Sequence, residues 1–319
     1  MPQGALVPSD LPPPSTGKTG WPWILPGDDV EIPTIPIDGP RVSIVTPSYN
    51  QARYLEETLR SVLLQGITNL EYIVIDGGSK DGSKEIIRKY GPHLDHSVSE
   101  PDNGQCDAIN KGFAHTTGAI MAWLNSDDVF PQGALATVLS TLEPYADRPA
   151  MVVGASVITH GPDTYEGTID RRRPSWPEML YDGRTFPQPS VFWTRALWEK
   201  VGPLDEDLHF GMDYDLWLRM VSQADEVIFL DDVLSYARTH DDQKAKSAKR
   251  KGASSPSQRA KAFAACRAAR ANGMFGWLWW ARMWSRRWGQ AMARRQLGHA
   301  RGSVFHRVAW RAAAGLLKP

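Results

Sequence analysis

From residue 41 onward, short continuous apolar runs alternate with stretches in which apolar residues recur at helical spacing. Val42–Thr46 is a short β-branched run before Pro47, and it predicts a buried strand that stops at the proline. The next apolar positions recur at helical spacing and predict a helix with Asn50 as its cap: Leu55, Leu59, Val62 and Leu63. The run Glu71–Asp76 predicts a second strand, closed by a pair of glycines.

Strand and helix patterns continue to alternate through the following residues. Asp81 can cap a second helix. Further predicted elements are the strand His96–Ser99, the helix Asp107–Ala114 and the strand Ala119–Leu124. After residue 150 the pattern is mixed, with strands at Met151–Gly154 and Val227–Leu230, a polar loop at Asp170–Thr185 and a helix at Asp213–Val221. The segment Ser190–Trp193 lies between the loop and this helix. Strands separated by helices indicate βαβ units, so we expect an α/β fold with a mostly parallel sheet flanked by helices.

Polar clusters follow three of the predicted strands. They are Thr46–Asn50, Asp76–Asp81 and Asn125–Asp128. Ligands of such sheets bind beyond the carboxyl ends of the strands. We therefore expect the three clusters to converge on one crevice.

Both ends of the chain differ from this pattern. Residues 1–40 contain ten of the 24 prolines, which predicts an extended arm. Two interpretations stay open: a disordered leader, or an arm that docks on the folded domain through Trp21 and Trp23. No apolar run is long enough to predict a spanning helix, and the N-terminus lacks the pattern of a secretory signal. Cys106 and Cys266 form no CxxC pair, which favours a reducing cytoplasm over a disulfide framework or a cysteine zinc site.

The charge is strongly divided between two parts of the chain. The chain has 36 basic and 36 acidic residues, and the 77 residues from Gln243 to Pro319 carry 18 of the basic ones and no acidic one. The first 242 residues therefore have a net charge of −18 and the remainder +18. Such a division suggests different partners for the two parts.

Five ordered blocks resemble the family 2 glycosyltransferases, inverting enzymes of the GT-A (Rossmann-like) fold. The blocks are Val42–Asn50, Ile75–Gly82, Gly104–Gly112, Trp123–Asp128 and Phe186–Arg219. The resemblance predicts a catalytic domain over residues 41–242, between a Pro-rich arm (1–40) and a basic helical tail (243–319). It implies transfer of a sugar from a nucleotide-diphosphate sugar to a hydroxyl of a glycan or lipid-linked glycan, in the assembly of cell-surface polysaccharide or glycoconjugate.

The resemblance implies contacts with the nucleoside at two strand ends. In the family, the Asp that matches Asp76 accepts hydrogen bonds from the nucleoside. The turn after the first strand holds the same half of the donor, with Thr46, Pro47, Tyr49 and Asn50 as candidates. Taken alone, Asp76 also fits a turn or helix-cap carboxylate.

Asn125–Asp128 stands at the place of the family's DxD motif, with Asn125 at the first acidic position. The resemblance implies a divalent cation, Mg²⁺ or Mn²⁺, for which oxygen ligands are suited. We expect Asp127 as the most direct ligand and Asp128 as a second ligand, or else Asp128 or Asn125 as the residue that orients metal-bound water. Ser126 is expected beside the donor. His240 is a further candidate ligand, and Arg238 a candidate contact of the diphosphate; a solvated His and a helix-capping acidic pair are the alternatives.

The resemblance also assigns roles to two helix starts. Asp107, Asn110 and Lys111 match a block that faces the donor, although an exposed lysine explains Lys111 equally well. Asp213 matches the general base, which removes the proton of the acceptor hydroxyl; a helix cap is the alternative. Asp215 and Arg219 are spaced i, i+4, which permits a structural ion pair.

Three other function classes fit the residues less well. A sugar nucleotidyltransferase has a Gly-rich basic loop after its first strand, where this chain has Pro47–Asn50. The sequence Gly77–Gly82 does not supply the GxGxxG of a dinucleotide oxidoreductase. A nucleic-acid-binding protein would use the basic tail but would leave the acidic crevice unexplained, so no nucleic-acid partner is expected. A homo-oligomer is compatible with the sequence.

The tail carries tryptophans at helical spacing. They are Trp277, Trp280, Trp284 and Trp288, with Arg282 and Arg286 roughly opposite. This arrangement predicts a helix that lies on an anionic membrane surface, so we expect residues 277–319 to place a cytoplasmic protein peripherally on the inner face of the cell membrane. The alternative is that the tryptophans pack on the catalytic domain or on a second subunit.

Overall fold

The computed structural model describes residues 5–14, 17–24, 39–176, 178–179, 183–208, 210–241 and 243. Within this part of the chain, eight strands form a single sheet. They are β1 (Val42–Ser48), β2 (Leu70–Asp76), β3 (His96–Ser99), β4 (Ile120–Trp123), β5 (Ala150–Thr159), β6 (Gly167–Asp170), β7 (Val191–Thr194) and β8 (Glu226–Ala237). Six α-helices of the same residues are α1 (Ala52–Leu63), α2 (Ser83–Tyr90), α3 (Gln105–Ala114), α4 (Ala134–Leu142), α5 (Arg195–Val201) and α6 (Met212–Gln223).

The first half of the sheet is parallel, as the alternation of strands and helices predicts. The strand order is β3-β2-β1-β4-β7-β5-β6, and β8 pairs with β5. Strands β3, β2, β1 and β4 are parallel neighbours, and β8 is parallel to β5. Strand β7 is antiparallel to both β4 and β5, and β6 is antiparallel to β5. Strand β5 therefore runs in the same direction as β4.

The core lies between this sheet and the helices. Strands β1, β2 and β4 are buried almost throughout, which explains their continuous apolar runs. The four predicted apolar positions of α1 are fully buried or nearly so. Helix α3 lies very close to β1, because a Cβ atom at Gly112 would be 2.3 Å from Val45 Cγ1.

Two details of the first strand and helix correct the predictions. Strand β1 continues through Pro47 to Ser48. The Val45 carbonyl faces β4, where it accepts a hydrogen bond from the Leu124 N–H. The Pro47 nitrogen, two residues later, faces the same side, but β4 has already ended there, so the absence of a proline N–H removes no hydrogen bond from the strand. Asn50 does not cap α1, which begins after Gln51 with no side-chain cap.

The described residues of the N-terminal arm contact the folded domain. The Trp21 Nε1 donates a hydrogen bond of 2.7 Å to the Phe130 carbonyl. Trp23 is buried, and its ring faces the guanidinium of Arg60 at 5.6 Å. Of the two interpretations of this arm, the structure supports docking for these residues.

The helical tail and the membrane surface predicted for residues 277–319 lie outside the described residues. Among the helices that are described, none combines the length and the apolar character that a membrane span requires.

Candidate active site

The carboxyl ends of three parallel strands bring the predicted polar clusters together. Ser48 and Asp76 are paired in register at the ends of β1 and β2, and Val45 is paired with Trp123 of β4. The Asn50 N–H donates to Ser79 Oγ at 2.7 Å, and the Asn50 side chain accepts from the Lys80 N–H at 2.9 Å. The first and second clusters are therefore directly bonded to each other.

Asp76 is fully buried at the end of β2, and protein donors surround its carboxylate. One oxygen accepts from the Ser79 hydroxyl at 2.5 Å, and the other accepts from the Ser79 N–H at 2.9 Å and from the Ser99 hydroxyl. These bonds fix the carboxyl group beside the glycine turn. Ser99 lies on a neighbouring strand, so no local motif could have identified it.

The turn after β1 presents one exposed aromatic ring. Tyr49 is 63% exposed, whereas Thr46 is buried and its hydroxyl is 2.9 Å from the Tyr72 hydroxyl. Burial raises the pKa of Tyr72 above its ordinary value, so this phenol stays neutral. Asn50 has φ of +52°, a left-handed conformation that asparagine tolerates better than most residues. Tyr49 is thus the member of this turn that is most available to a ligand.

Two glutamines hold the first residue of the DxD-like cluster. Asn125 Oδ1 accepts from Gln105 Nε2 at 2.9 Å, and Asn125 Nδ2 donates to Gln188 Oε1 at 2.8 Å. Gln188 also donates to the Trp123 carbonyl at 3.1 Å, so it ties the loop to the end of β4. The sequence indicated the segments of both glutamines but not these contacts.

Asp127 and His240 form a carboxylate–imidazole pair at the centre of the cluster. His240 Nε2 is 3.0 Å from Asp127 Oδ2, and the His240 ring packs against Tyr54 with centroids 4.5 Å apart. The Asp127 side chain is 16% exposed, and the His240 side chain is buried. His240 Nδ1 is a buried nitrogen with no hydrogen-bond partner.

Asp128 holds the loop, which differs from its predicted role at the metal. Its Oδ1 accepts from the Arg238 N–H at 3.0 Å, and its Oδ2 accepts from Asn125 Nδ2 at 3.2 Å. Burial, and secondarily the neighbouring charge of Asp127, raises the pKa of Asp128 well above its ordinary value. Both carboxyl oxygens of Asp128 are thus directed at the protein.

A divalent cation fits this site only with additional ligands. The described parts of the chain contain no group of three or more His, Cys, Asp or Glu side chains placed to hold a metal ion. Asp127 and His240 supply one carboxylate and one imidazole, which are both suitable ligands. Phosphate oxygens and water would have to complete the coordination shell, as is usual for Mg²⁺ at nucleotide sites.

The α3 residues make contacts within the protein. Lys111 Nζ is 3.0 Å from Asp107 Oδ2. Burial opposes ionisation of Asp107, but the hydrogen bond from the Asn103 N–H and the Lys111 charge outweigh it and lower the pKa of Asp107. Asn110 bonds the Leu204 N–H and carbonyl, each at 3.0 Å, and so holds another loop. The donor contacts predicted for these residues remain predictions.

Helix α6 begins beside the crevice with Asp213 in its first turn. Met212 Sδ is 2.9 Å from Cys106 Sγ at the start of α3, and Trp217 stacks on Trp123 of β4 with centroids 5.3 Å apart. The pKa of Arg172 is raised mainly by its hydrogen bonds to Asp170 and, to a smaller extent, by the charge of Asp213, which places Arg172 near Asp213.

The structural ion pair predicted on this helix is confirmed. Arg219 bonds Asp215 at 2.9 Å, and its guanidinium also donates to the carbonyls of Val201, Gly202 and Pro203. Arg219 therefore joins α6 to the end of α5, and Asp215 holds its guanidinium from within α6.

Comparison with known proteins identifies the family. Residues 43–197 match the family described as Glycosyl transferase family 2. An uncharacterized glycosyltransferase of Mycobacterium tuberculosis is 31% identical over 185 residues, which cover 56% of this chain and 68% of the relative. One of Rickettsia typhi is 31% identical over 216 residues, which cover 64% of this chain and 65% of the relative. The chain thus spans slightly less than two thirds of the length of the Rickettsia protein.

Two solved structures share the fold. The structure of S. aureus TarS 1–349 in complex with UDP-GlcNAc has a TM-score of 0.60 at 15% identity, covering 86% of this chain and 79% of that one. The mannosyltransferase PcManGT from Pyrobaculum calidifontis, in complex with GDP-Man and Mn²⁺, has a TM-score of 0.51 at 20% identity, covering 91% and 85%. The expected GT-A fold is therefore confirmed, and the chain belongs to glycosyl transferase family 2.

Proposed function

We propose that this protein transfers a sugar from a nucleotide-diphosphate sugar to a hydroxyl group, with inversion at the anomeric carbon. The observation that carries the proposal is the convergence of Asp76, the loop of Asp127 and the start of α6 at one edge of the sheet. Family membership supports the same reaction class. The solved relatives hold UDP-GlcNAc and GDP-Man on the same fold, which supports a nucleotide sugar as the donor.

In the proposed reaction, Asp213 accepts the proton of the acceptor hydroxyl. The acceptor oxygen forms a bond to the anomeric carbon while the bond from that carbon to the diphosphate breaks, and the nucleoside diphosphate leaves. A hydroxyl of a glycan or lipid-linked glycan is the proposed acceptor.

Asp127 and His240 are the proposed protein ligands of a divalent cation. When bound, such a cation offsets negative charge on the departing diphosphate. Tyr49 is proposed to contact the nucleoside through its exposed ring. Asp76, which is buried and bonded by Ser79 and Ser99, is proposed to hold the turn beside the nucleoside.

Calorimetry with UDP-GlcNAc and GDP-Man, in Mn²⁺ and in chelator, tests this proposal. We expect binding of at least one donor that is at least about tenfold tighter in Mn²⁺, and loss of that advantage in Asp127→Asn. Asp147→Asn is the matched control, because Asp147 is exposed before the start of β5, at the opposite edge of the sheet. Absence of binding for a full panel of nucleotide sugars would overturn the function, and equal affinity in chelator would overturn the metal site.

A further inference from the structure

The guanidinium of Arg238 contacts the protein through each of its three nitrogens. Arg238 is only 5% exposed. Its Nε donates to the Asp127 carbonyl at 2.8 Å, its Nη1 donates to the Pro162 carbonyl, and its Nη2 is 3.2 Å from Glu57 Oε2. Each of its three nitrogens therefore has a protein partner, and the group is directed into the domain.

Glu57 is the buried counter-ion of this arginine. It lies on α1, and its other carboxylate oxygen accepts a hydrogen bond from the Tyr165 hydroxyl. An unpaired charge would be costly at this depth, and a pair with its remaining bonds satisfied avoids most of that cost. Tyr165 in turn packs against Tyr236 of β8, with ring centroids 4.5 Å apart. The pair thus joins α1, the hairpin of β5 and β6, and the end of β8.

Arg238 connects this ion pair to Asp127 and His240 through two sets of contacts. On one side, the Arg238 N–H bonds the Asp128 carboxylate, and its Nε bonds the Asp127 backbone. On the other side, the Tyr54 ring lies 5.0 Å from the Arg238 guanidinium and 4.5 Å from the His240 ring. Movement of Arg238 would therefore release both the loop that carries Asp127 and the aromatic contact that orients His240.

We propose that Arg238 and Glu57 are positioning residues, which hold Asp127 and His240 in register and do not themselves contact the donor. This inference rests on the proposed function and replaces the expectation that Arg238 binds the diphosphate. Residues that orient ligands from behind commonly change metal affinity about 10- to 100-fold when they are altered.

The first test measures the loop without any ligand. Hydrogen–deuterium exchange of the full chain is compared for wild type, Glu57→Gln and Asp163→Asn. Asp163 lies on the same hairpin and pairs with Arg53 of α1, but both side chains are more than half exposed, so it is the matched control. We expect faster exchange in peptides that span residues 124–130 for Glu57→Gln alone. Equal exchange in all three proteins would overturn the inference, whether or not the proposed function holds.

The second test separates positioning from direct contact. Mn²⁺ is titrated calorimetrically into each protein in the presence of UDP or GDP, and UDP or GDP is titrated separately in chelator. We expect Glu57→Gln and Arg238→Lys to weaken Mn²⁺ binding at least about tenfold and to leave nucleotide affinity in chelator unchanged. If Arg238→Lys lowered nucleotide affinity in chelator as much as it lowered Mn²⁺ affinity, Arg238 would contact the donor directly, which would contradict the inference.

A milder variant covers the case in which Glu57→Gln does not fold. Tyr165→Phe removes the hydroxyl that bonds Glu57 and keeps the ring on Tyr236. We expect it to change exchange and Mn²⁺ affinity in the same direction by a smaller factor. Values identical to those of wild type would count against Glu57 as the residue that holds Arg238. If wild type binds neither nucleotide, UDP and GDP are excluded as the nucleotide part of the donor, and the exchange experiment still decides the role of the pair.

Discussion

Arg60 links the N-terminal arm to the catalytic domain, and its replacement tests whether the docked arm contributes to stability. Arg60 is completely buried in α1. Its guanidinium donates to the carbonyls of Pro22 at 3.0 Å, Pro12 at 2.9 Å and Ile24 at 3.4 Å. Arg60→Met keeps most of the apolar stem but removes these three bonds and a fourth, of 3.3 Å, to the Tyr90 hydroxyl.

The expected loss follows from the bonds and from the arm. A buried acceptor that loses its partner costs about 1–3 kcal/mol, so three carbonyls set a ceiling of about 9 kcal/mol. The arm can instead leave the domain, where water hydrates its carbonyls. Release exposes the side chains of Leu11, Trp23 and Ile24, whose burial contributes about 1.5–3 kcal/mol each. The conformational entropy that the arm loses on docking offsets part of this burial free energy. We therefore expect Arg60→Met to lower the free energy of unfolding by about 3 kcal/mol.

Urea unfolding of the full chain measures this loss, and Arg88→Met is the control because Arg88 is an exposed residue of α2. A double-mutant cycle with Trp23→Ala isolates the contribution of the arm, since Trp23 faces the Arg60 guanidinium. We expect a coupling energy of at least about 0.5 kcal/mol. Additive effects of the two substitutions, or an unchanged stability in Arg60→Met, would show that Arg60 does not stabilise the fold through the docked arm.

Two further predictions concern packing and pH. Gly112→Ala should lower stability by about 1–3 kcal/mol in thermal unfolding, because its Cβ would meet Val45 at 2.3 Å; Gly91→Ala, with open space around its Cβ position, should change stability little, and equal effects would contradict the close packing of α3 on β1. Burial opposes ionisation of Glu71, but hydrogen bonds from Ser43 and Thr117 and the charge of Arg41 lower its pKa below the ordinary value. This carboxylate should therefore stabilise the fold above the unfolded pKa of about 4.3, and the contribution should be lost as the pH falls through the folded pKa. Glu71→Gln should flatten that acid limb of the stability curve in urea titrations, and an unaltered limb would exclude Glu71 as its source.

The parts of the fold that were predicted correctly have local signatures. The apolar runs of β1, β2 and β4 and the helical spacing in α1 each lie within a dozen residues. Because parallel strands end at one edge, these elements also predict where the polar clusters meet. The Asp215–Arg219 ion pair was predicted because its i, i+4 spacing is also a local signature.

The contacts that the sequence did not reveal join distant segments. Arg238 bonds the Asp127 carbonyl from 111 residues away, and the carbonyl of Pro22 meets Arg60 across 38 residues. No periodicity relates such positions, and a family motif assigns a residue type without its direction. Asp128 and Arg238 were predicted as site residues from the family motif alone, whereas the contacts of their side chains with the loop of Asp127 appear only in the structure.

Turnover of Asp213→Asn is the decisive measurement for the proposed transfer with Asp213 as the general base. The rate of sugar transfer is measured at saturating donor and compared with that of Asp147→Asn, which makes the same substitution at the opposite edge of the sheet. Because Asp213 is the proposed general base, we expect a turnover at least about a hundredfold below that of the control, with donor affinity largely preserved. A turnover of Asp213→Asn equal to that of Asp147→Asn would contradict this role of Asp213.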